Sequence, residues 1–179
     1  MQICKKLVLT VIASSLGFVA IPAAFAEDAM PAAAAVVAAP AAEAKSNYVK
    51  PNMKHESYGT LKVVVPLTSD DKGLQGMKLR NIANGLKAVD ALKGKFEVTV
   101  VLYAKGLTLL KNPDEKTQKQ LDDLAKQGVQ FKVCNNSLVE QGIDFHSLYH
   151  VTDADIVPSG FAEVAYLQAK KHFVIDTVN

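Results

Sequence analysis

Leu61-Lys62-Val63-Val64-Val65-Pro66-Leu67 is the stretch on which the fold turns. Alternate residues of a strand point to opposite faces, so the unbroken Val63-Val64-Val65 run is apolar on both. A strand of that kind belongs inside a parallel sheet with helices on each side.

Downstream, short apolar runs alternate with helical spacing. Leu79, Ile82, Ala83, Leu86 and Val89 form one stripe on a helix that ends near Gly94. Phe96 to Tyr103 reads as the second strand. After a loop around Gly106, Asn112-Pro113-Asp114-Glu115 reads as a helix start, with Asn112 as cap and the acids at the positive end of the dipole. Leu121, Leu124 and Ala125 supply the buried face of that helix and Gly128 its stop.

Val129 to Val133 is the third strand, and Cys134-Asn135-Asn136-Ser137 leads into a short helix ending by Gly142. Asp155-Ile156-Val157 makes a brief fourth strand. Pro158-Ser159-Gly160 then opens a helix with Phe161, Val164 and Ala165 on one side, and Phe173-Val174-Ile175 closes the sheet. The expected fold is α/β: a five-stranded, mostly parallel open sheet, flanked by helices on both faces and joined by right-handed crossovers. Ligands of such sheets collect at the carboxyl ends of the strands.

Upstream, the amino end carries Lys5 and Lys6, an apolar run from Leu7 to Ile21, and small residues in Ala24-Phe25-Ala26. These are the three parts of a secretory signal, with cleavage expected after Ala26 and a periplasmic destination. The run is shorter than the roughly 20 apolar residues of a spanning helix. No membrane partner is expected once the signal is removed. Residues 27–58 are expected to be a largely disordered linker, Ala- and Pro-rich at first, with Pro31 and Pro40 interrupting any helix. His55 falls in the polar approach to the domain, which spans residues 59–179.

Cleavage takes two of the 20 basic residues of the 179-residue chain and leaves 18 against 18 acidic ones. With no basic excess, counterion release offers little affinity for nucleic acid or for an anionic membrane surface. Cys4 leaves with the signal, so Cys134 is the single cysteine of the mature chain and no intramolecular disulfide can form.

Cys134 sits where a strand ends and a helix begins, and the unpaired amides of a helix start stabilise a thiolate. Asn135, Asn136 and Ser137 support the placement, because one of them can cap the helix while backbone amides stay directed at the sulfur. A buried, inert cysteine at a strand end is equally compatible with the pattern. Reactivity requires that the sulfur be ionised and open to solvent. Lys72, in the loop Thr68-Ser69-Asp70-Asp71-Lys72-Gly73, and Tyr103, ending the second strand, are candidates to line the same pocket. Neither G-x-x-x-x-G-K-[ST] nor G-x-G-x-x-G is present in that loop, which argues against nucleotide binding.

His146 and His150 stand four apart and share a face if residues 144–150 are helical. With Cys134 they would suit zinc or copper, but two histidines at that spacing are a weak signal, and no metal or other cofactor is expected. His172 begins the last strand and reads as structural.

The segment Phe131-Lys132-Val133-Cys134-Asn135-Asn136-Ser137-Leu138, followed by Gly142-Ile143 and by Ile156-Val157-Pro158-Ser159-Gly160-Phe161-Ala162-Glu163, resembles the DsrE/DsrF-like family. The first strand and Val98-Thr99-Val100-Val101-Leu102 fit it as well, so the resemblance covers Leu61 to Asp176. It implies a homo-oligomer, trimeric or hexameric, and a persulfide on the matching cysteine, Cys134. It also implies a sulfur carrier or sulfurtransferase-like role with a donor or acceptor protein as partner. The alternative is a non-catalytic oligomeric accessory protein of the cell envelope. Relay members often have small apolar residues after the cysteine, where this chain has Asn135 and Asn136.

Overall fold

The computed structural model describes residues 56–176. The signal, His55 and nearly all of the linker expected from the sequence lie outside the described residues. Within them the order is β1 (Thr60–Leu67), α1 (Lys72–Ala91), β2 (Lys95–Leu102), a 3-10 turn (Ala104–Leu109) and α2 (Glu115–Lys126). There follow β3 (Gln130–Cys134), α3 (Asn135–Gln141), two short 3-10 turns (Phe145–Ser147 and Asp153–Asp155), β4 (Ile156–Val157), α4 (Gly160–Lys171) and β5 (Val174–Ile175).

The five strands lie in the order β4-β3-β2-β1-β5, and every pairing is parallel, where the sequence led us to expect a mostly parallel sheet. Val63, Val65 and Leu67 of β1 join Val98, Val100 and Leu102 of β2 and Val133 of β3 on one face. That face packs against Leu79 and Ile82 of α1 and Leu121 and Leu124 of α2. The opposite face is thinner: Val64 and Val101 pack against Val164 and Leu167 of α4, flanked by Tyr103, Phe173 and Ile175. Cys134 follows Val133, which points into the larger core, so its side chain takes the opposite face, toward α4.

Several local expectations are corrected. α1 begins at Lys72, so Lys72 and Gly73 belong to the helix, and the Asp71 carboxylate accepts from the Leu74 amide at 2.6 Å. α2 is capped by Asp114, which accepts from Thr117 at 2.7 Å, whereas Asn112 turns the chain in the left-handed region at φ 49°. Asn tolerates that region, and the turn carries it outside the helix. β2 ends at Leu102, because Tyr103 is already the residue that opens the 3-10 turn.

α4 buries Gly160, Val164 and Leu167, not Phe161 and Ala165, which face solvent. The close approach of Gly160 to the sheet sets the helix rotation. His172 ends α4 in the left-handed region at φ 60° instead of starting β5. Residues 144–150 form no continuous helix; the 3-10 turn covers only Phe145–Ser147 and His150 turns at φ 53°.

Among the described residues no helix is long and apolar enough to cross a membrane.

Candidate functional site at the carboxyl end of β3

Cys134 is the last residue of β3 and occupies the cap position of α3, with extended backbone at φ −73° and ψ 117°. None of Asn135, Asn136 or Ser137 caps the helix: all three lie inside it, because the chain turns helical directly after the strand. Asn135 and Asn136 point their side chains outward and are exposed. Of the two, Asn136 contributes through its backbone amide.

The sulfur makes no capping bond of ordinary geometry. It receives looser polar contacts from the Ser137 hydroxyl and from the amides of Gly160, Ser137 and Asn136. Burial pushes the thiol up, but the Ser137 hydroxyl and then the three amides outweigh it, and the balance holds Cys134 below the ordinary thiol range. Two helix starts therefore meet at one sulfur: α3, which follows it directly, and α4, which arrives from 26 residues further along the chain.

Two close approaches make this possible. A side-chain carbon on Gly160 would stand 2.8 Å from Tyr103 Cβ and 2.9 Å from the Tyr103 ring, so only glycine lets the α4 start settle here. At Gly106 such a carbon would fall 1.8 Å from the Leu67 carbonyl oxygen, where the 3-10 turn crosses the end of β1. That turn is tied to α3 by two bonds. The Ala104 amide donates to Ser137 Oγ at 2.8 Å, and Gln141 Nε2 donates to the Ala104 carbonyl at 2.8 Å.

Cys134 is only 4% exposed. The sequence left the exposure of this thiol open, and the solvent-open sulfur that reactivity was said to require is replaced by a buried one. Burial and a lowered thiol range thus occur together, with the Gly160 amide at the start of α4 among the groups that favour the thiolate.

Tyr103 does border this site, through its packing on Gly160. Lys72 does not join it; its ammonium donates to the Thr108 carbonyl at 3.0 Å, beside the starts of α1 and α2. His146 Nδ1 lies 2.8 Å from Asp144, and His150 Nδ1 lies 3.6 Å from Asp122 while its ring stacks on Tyr149. The two rings thus have separate partners. Among the described residues no group of three or more His, Cys, Asp or Glu is arranged to hold a metal ion.

Gly160 and Ala104 are the site residues that sequence reasoning passed over. Pro158-Ser159-Gly160 carried a signal for Gly160, since a small residue just after a strand marks a close approach. Ala104 carried none, because a backbone amide has no residue type.

A search of the curated proteins finds no match. Among solved structures, a protein of unknown function from Methanobacterium thermoautotrophicum is similar over 65% of this chain and 97% of its own, with 24% identity and a TM-score of 0.56. That likeness extends to the fold. The model of the DsrE/DsrF-like family matches residues 62–176, from β1 to the residue after β5 and with Cys134 inside it, and the chain belongs to the DsrE/DsrF-like family.

Proposed function

We propose that the protein is an exported sulfur carrier that holds sulfane sulfur as a persulfide on Cys134. The observation that carries this reading is the convergence of one hydroxyl and three amides on the only thiol of the described residues, at the strand ends of a DsrE/DsrF-like domain. Thiolate is the reacting form, and those donors favour it.

Loading balances as a displacement. Cys134 Sγ attacks the sulfane sulfur of a persulfide or polysulfide, a new S–S bond forms, and the donor leaves as a thiolate. Unloading reverses the roles, with an acceptor thiolate taking the outer sulfur and Cys134 departing with the electron pair. No external oxidant or reductant enters either step. The chain is read as a carrier rather than a self-sufficient enzyme, because its sulfur is buried and has no second reactive group placed beside it among the described residues.

Export is part of the same proposal and rests on the Lys5-Lys6, Leu7–Ile21 and Ala24-Phe25-Ala26 pattern, with the periplasm as destination. Self-association, as a trimer or hexamer, is supported by the outer side of α4. There Phe161 is 76% and Tyr166 47% exposed, with Ala162, Ala165 and Ala169 beside them.

Intact mass spectrometry of protein recovered from cells, before and after treatment with inorganic polysulfide, tests both the thiol and the leader. The expected result is a chain beginning at Glu27 that gains sulfur, and a Cys134→Ser variant that gains none. A wild-type thiol that stays unmodified at alkaline pH ends the carrier reading.

A second reading, a non-catalytic oligomeric accessory protein, is favoured by the 4% exposure of Cys134. It predicts that Cys134→Ala changes stability while the same partners are still recovered.

A further inference from the structure

Between the starts of α1 and α2 lies a cavity of about 400 Å3. Lys72, Arg80 and Lys116 border it, all exposed, and none of the three makes an ion pair among the described residues. Asp114 is the one acidic residue of the described lining, and its Oδ1 already accepts from the Thr117 amide at 2.7 Å. Positive charge is thus in excess beside two helix starts, which suits an anion. Gln75 narrows the choice of anion. It lines the cavity and is 1% exposed. Its Nε2 donates to the Ser69 carbonyl at 2.8 Å and to Thr108 Oγ1 at 2.9 Å, while the Thr108 hydroxyl gives its own proton to the Lys105 carbonyl at 2.8 Å. Both partners of Nε2 therefore only accept, which fixes the nitrogen end of the amide. Neither of them borders the cavity, so Oε1 lies on the cavity side. Among the described residues that oxygen is buried without a hydrogen-bond partner, a costly state for an acceptor.

We infer that this cavity is a binding site for hydrogen phosphate, a small oxyanion that brings its own proton. Lys72, Arg80 and Lys116 meet its charged oxygens, and its hydroxyl donates to Gln75 Oε1. The Lys72 ammonium, held to the Thr108 carbonyl at 3.0 Å, turns to the anion on binding. Its side chain stands three residues before Gln75 on the same helix face, so that movement clears the approach to Oε1. Sulfate has the same shape and charge as the phosphate dianion but carries no proton. It meets the cations equally well, yet it leaves Oε1 unpaired and sets its own oxygens against that lone pair. Selectivity therefore comes from one neutral, buried acceptor, whereas the cations supply affinity for either ion. The site is independent of the thiol chemistry and stands whether or not Cys134 carries sulfur.

The test titrates inorganic phosphate, sulfate and methyl phosphate, all dianions at about pH 8, into protein recovered from cells, with calorimetry at low ionic strength as the readout. Phosphate is expected to bind at least about tenfold more tightly than either proton-free ion, the effect of leaving a buried acceptor unmet. Arg80→Gln together with Lys116→Gln, both at exposed positions, should weaken phosphate about tenfold or more by removing two charged donors. Gln75→Met keeps the length of the side chain, removes the acceptor, and should bring phosphate down to the affinity of sulfate. Should that variant fail to fold for want of its bonds to Ser69 and Thr108, the ratio of phosphate to sulfate in the wild type and the affinity of the Arg80 and Lys116 double variant decide the matter. Absence of phosphate binding, sulfate or methyl phosphate bound as tightly as phosphate, or an unchanged affinity in the double variant each overturns the inference.

Discussion

Gly160→Ala is the substitution that most directly probes how α4 reaches the sulfur. The new methyl would stand 2.8 Å from Tyr103 Cβ and 2.9 Å from Tyr103 Cγ and Cδ1. Ordinary contact between such carbons begins some 0.6 Å further out. Swinging the Tyr103 ring aside cannot relieve the clash, because its Cβ is fixed to the end of β2. The start of α4 must lift instead, and the Gly160 amide lifts with it. Overpacking of this kind costs about 1–3 kcal/mol, which urea unfolding followed by circular dichroism would measure. The same displacement weakens one of the contacts that hold Cys134 below the ordinary thiol range, so the pH midpoint of iodoacetamide labelling should move upward and labelling at neutral pH should slow. Tyr103→Ala in the same chain removes the ring contacts but leaves Cβ, and should rescue only part of either effect. An alanine variant as stable as the wild type, with an unmoved labelling midpoint, would refute the argument that glycine here serves the sulfur.

Other substitutions separate scaffold from site. Gly106→Ala forces a carbon to within 1.8 Å of the Leu67 carbonyl oxygen, a backbone atom that cannot step aside; it should cost about 3 kcal/mol or prevent folding, as a melting curve would register. Lys78 of α1 is buried and pairs with Asp176, beside β5, at 2.7 Å. Asp176→Ala should cost about 3 kcal/mol by leaving a buried ammonium without that carboxylate, while replacing both partners with apolar residues, Lys78→Met with Asp176→Leu, should cost clearly less, both read by urea unfolding. Because the folded state holds the Cys134 thiol below its unfolded value of about 8.5, thiolate formation adds stability that is fully present above that value and is lost as pH falls through the lower, folded one. The stability difference between wild type and Cys134→Ala should therefore rise between neutral and alkaline pH, and a flat difference would contradict the polar lining.

Much of the architecture was legible because it follows local rules. Val63-Val64-Val65 and Val98-Thr99-Val100-Val101-Leu102 announced buried parallel strands, and both lie in the centre of the sheet. Where reading failed, the local backbone conformation or a neighbour distant in sequence had decided the matter. Asn112 looked like a cap until the chain turned left-handed there and passed the role to Asp114. Phe161 looked like core until Gly160 settled on Tyr103 and rotated it outward to 76% exposure. His146 and His150 shared a face only on the assumption of a helix that the 3-10 turn replaces.

The sequence by itself determined that this is a parallel α/β domain with a solitary cysteine at the carboxyl end of its third strand, because hydrophobic period and helix punctuation are properties of neighbouring residues. Only the tertiary structure decided what surrounds that sulfur. Ser137 lies in the adjoining helix, but the Gly160 amide arrives from α4 and the Ser137 hydroxyl accepts from the amide of Ala104, beyond the end of another strand. Backbone amides carry no residue code, and a buried thiol is ionised or inert according to which of them the fold brings to it.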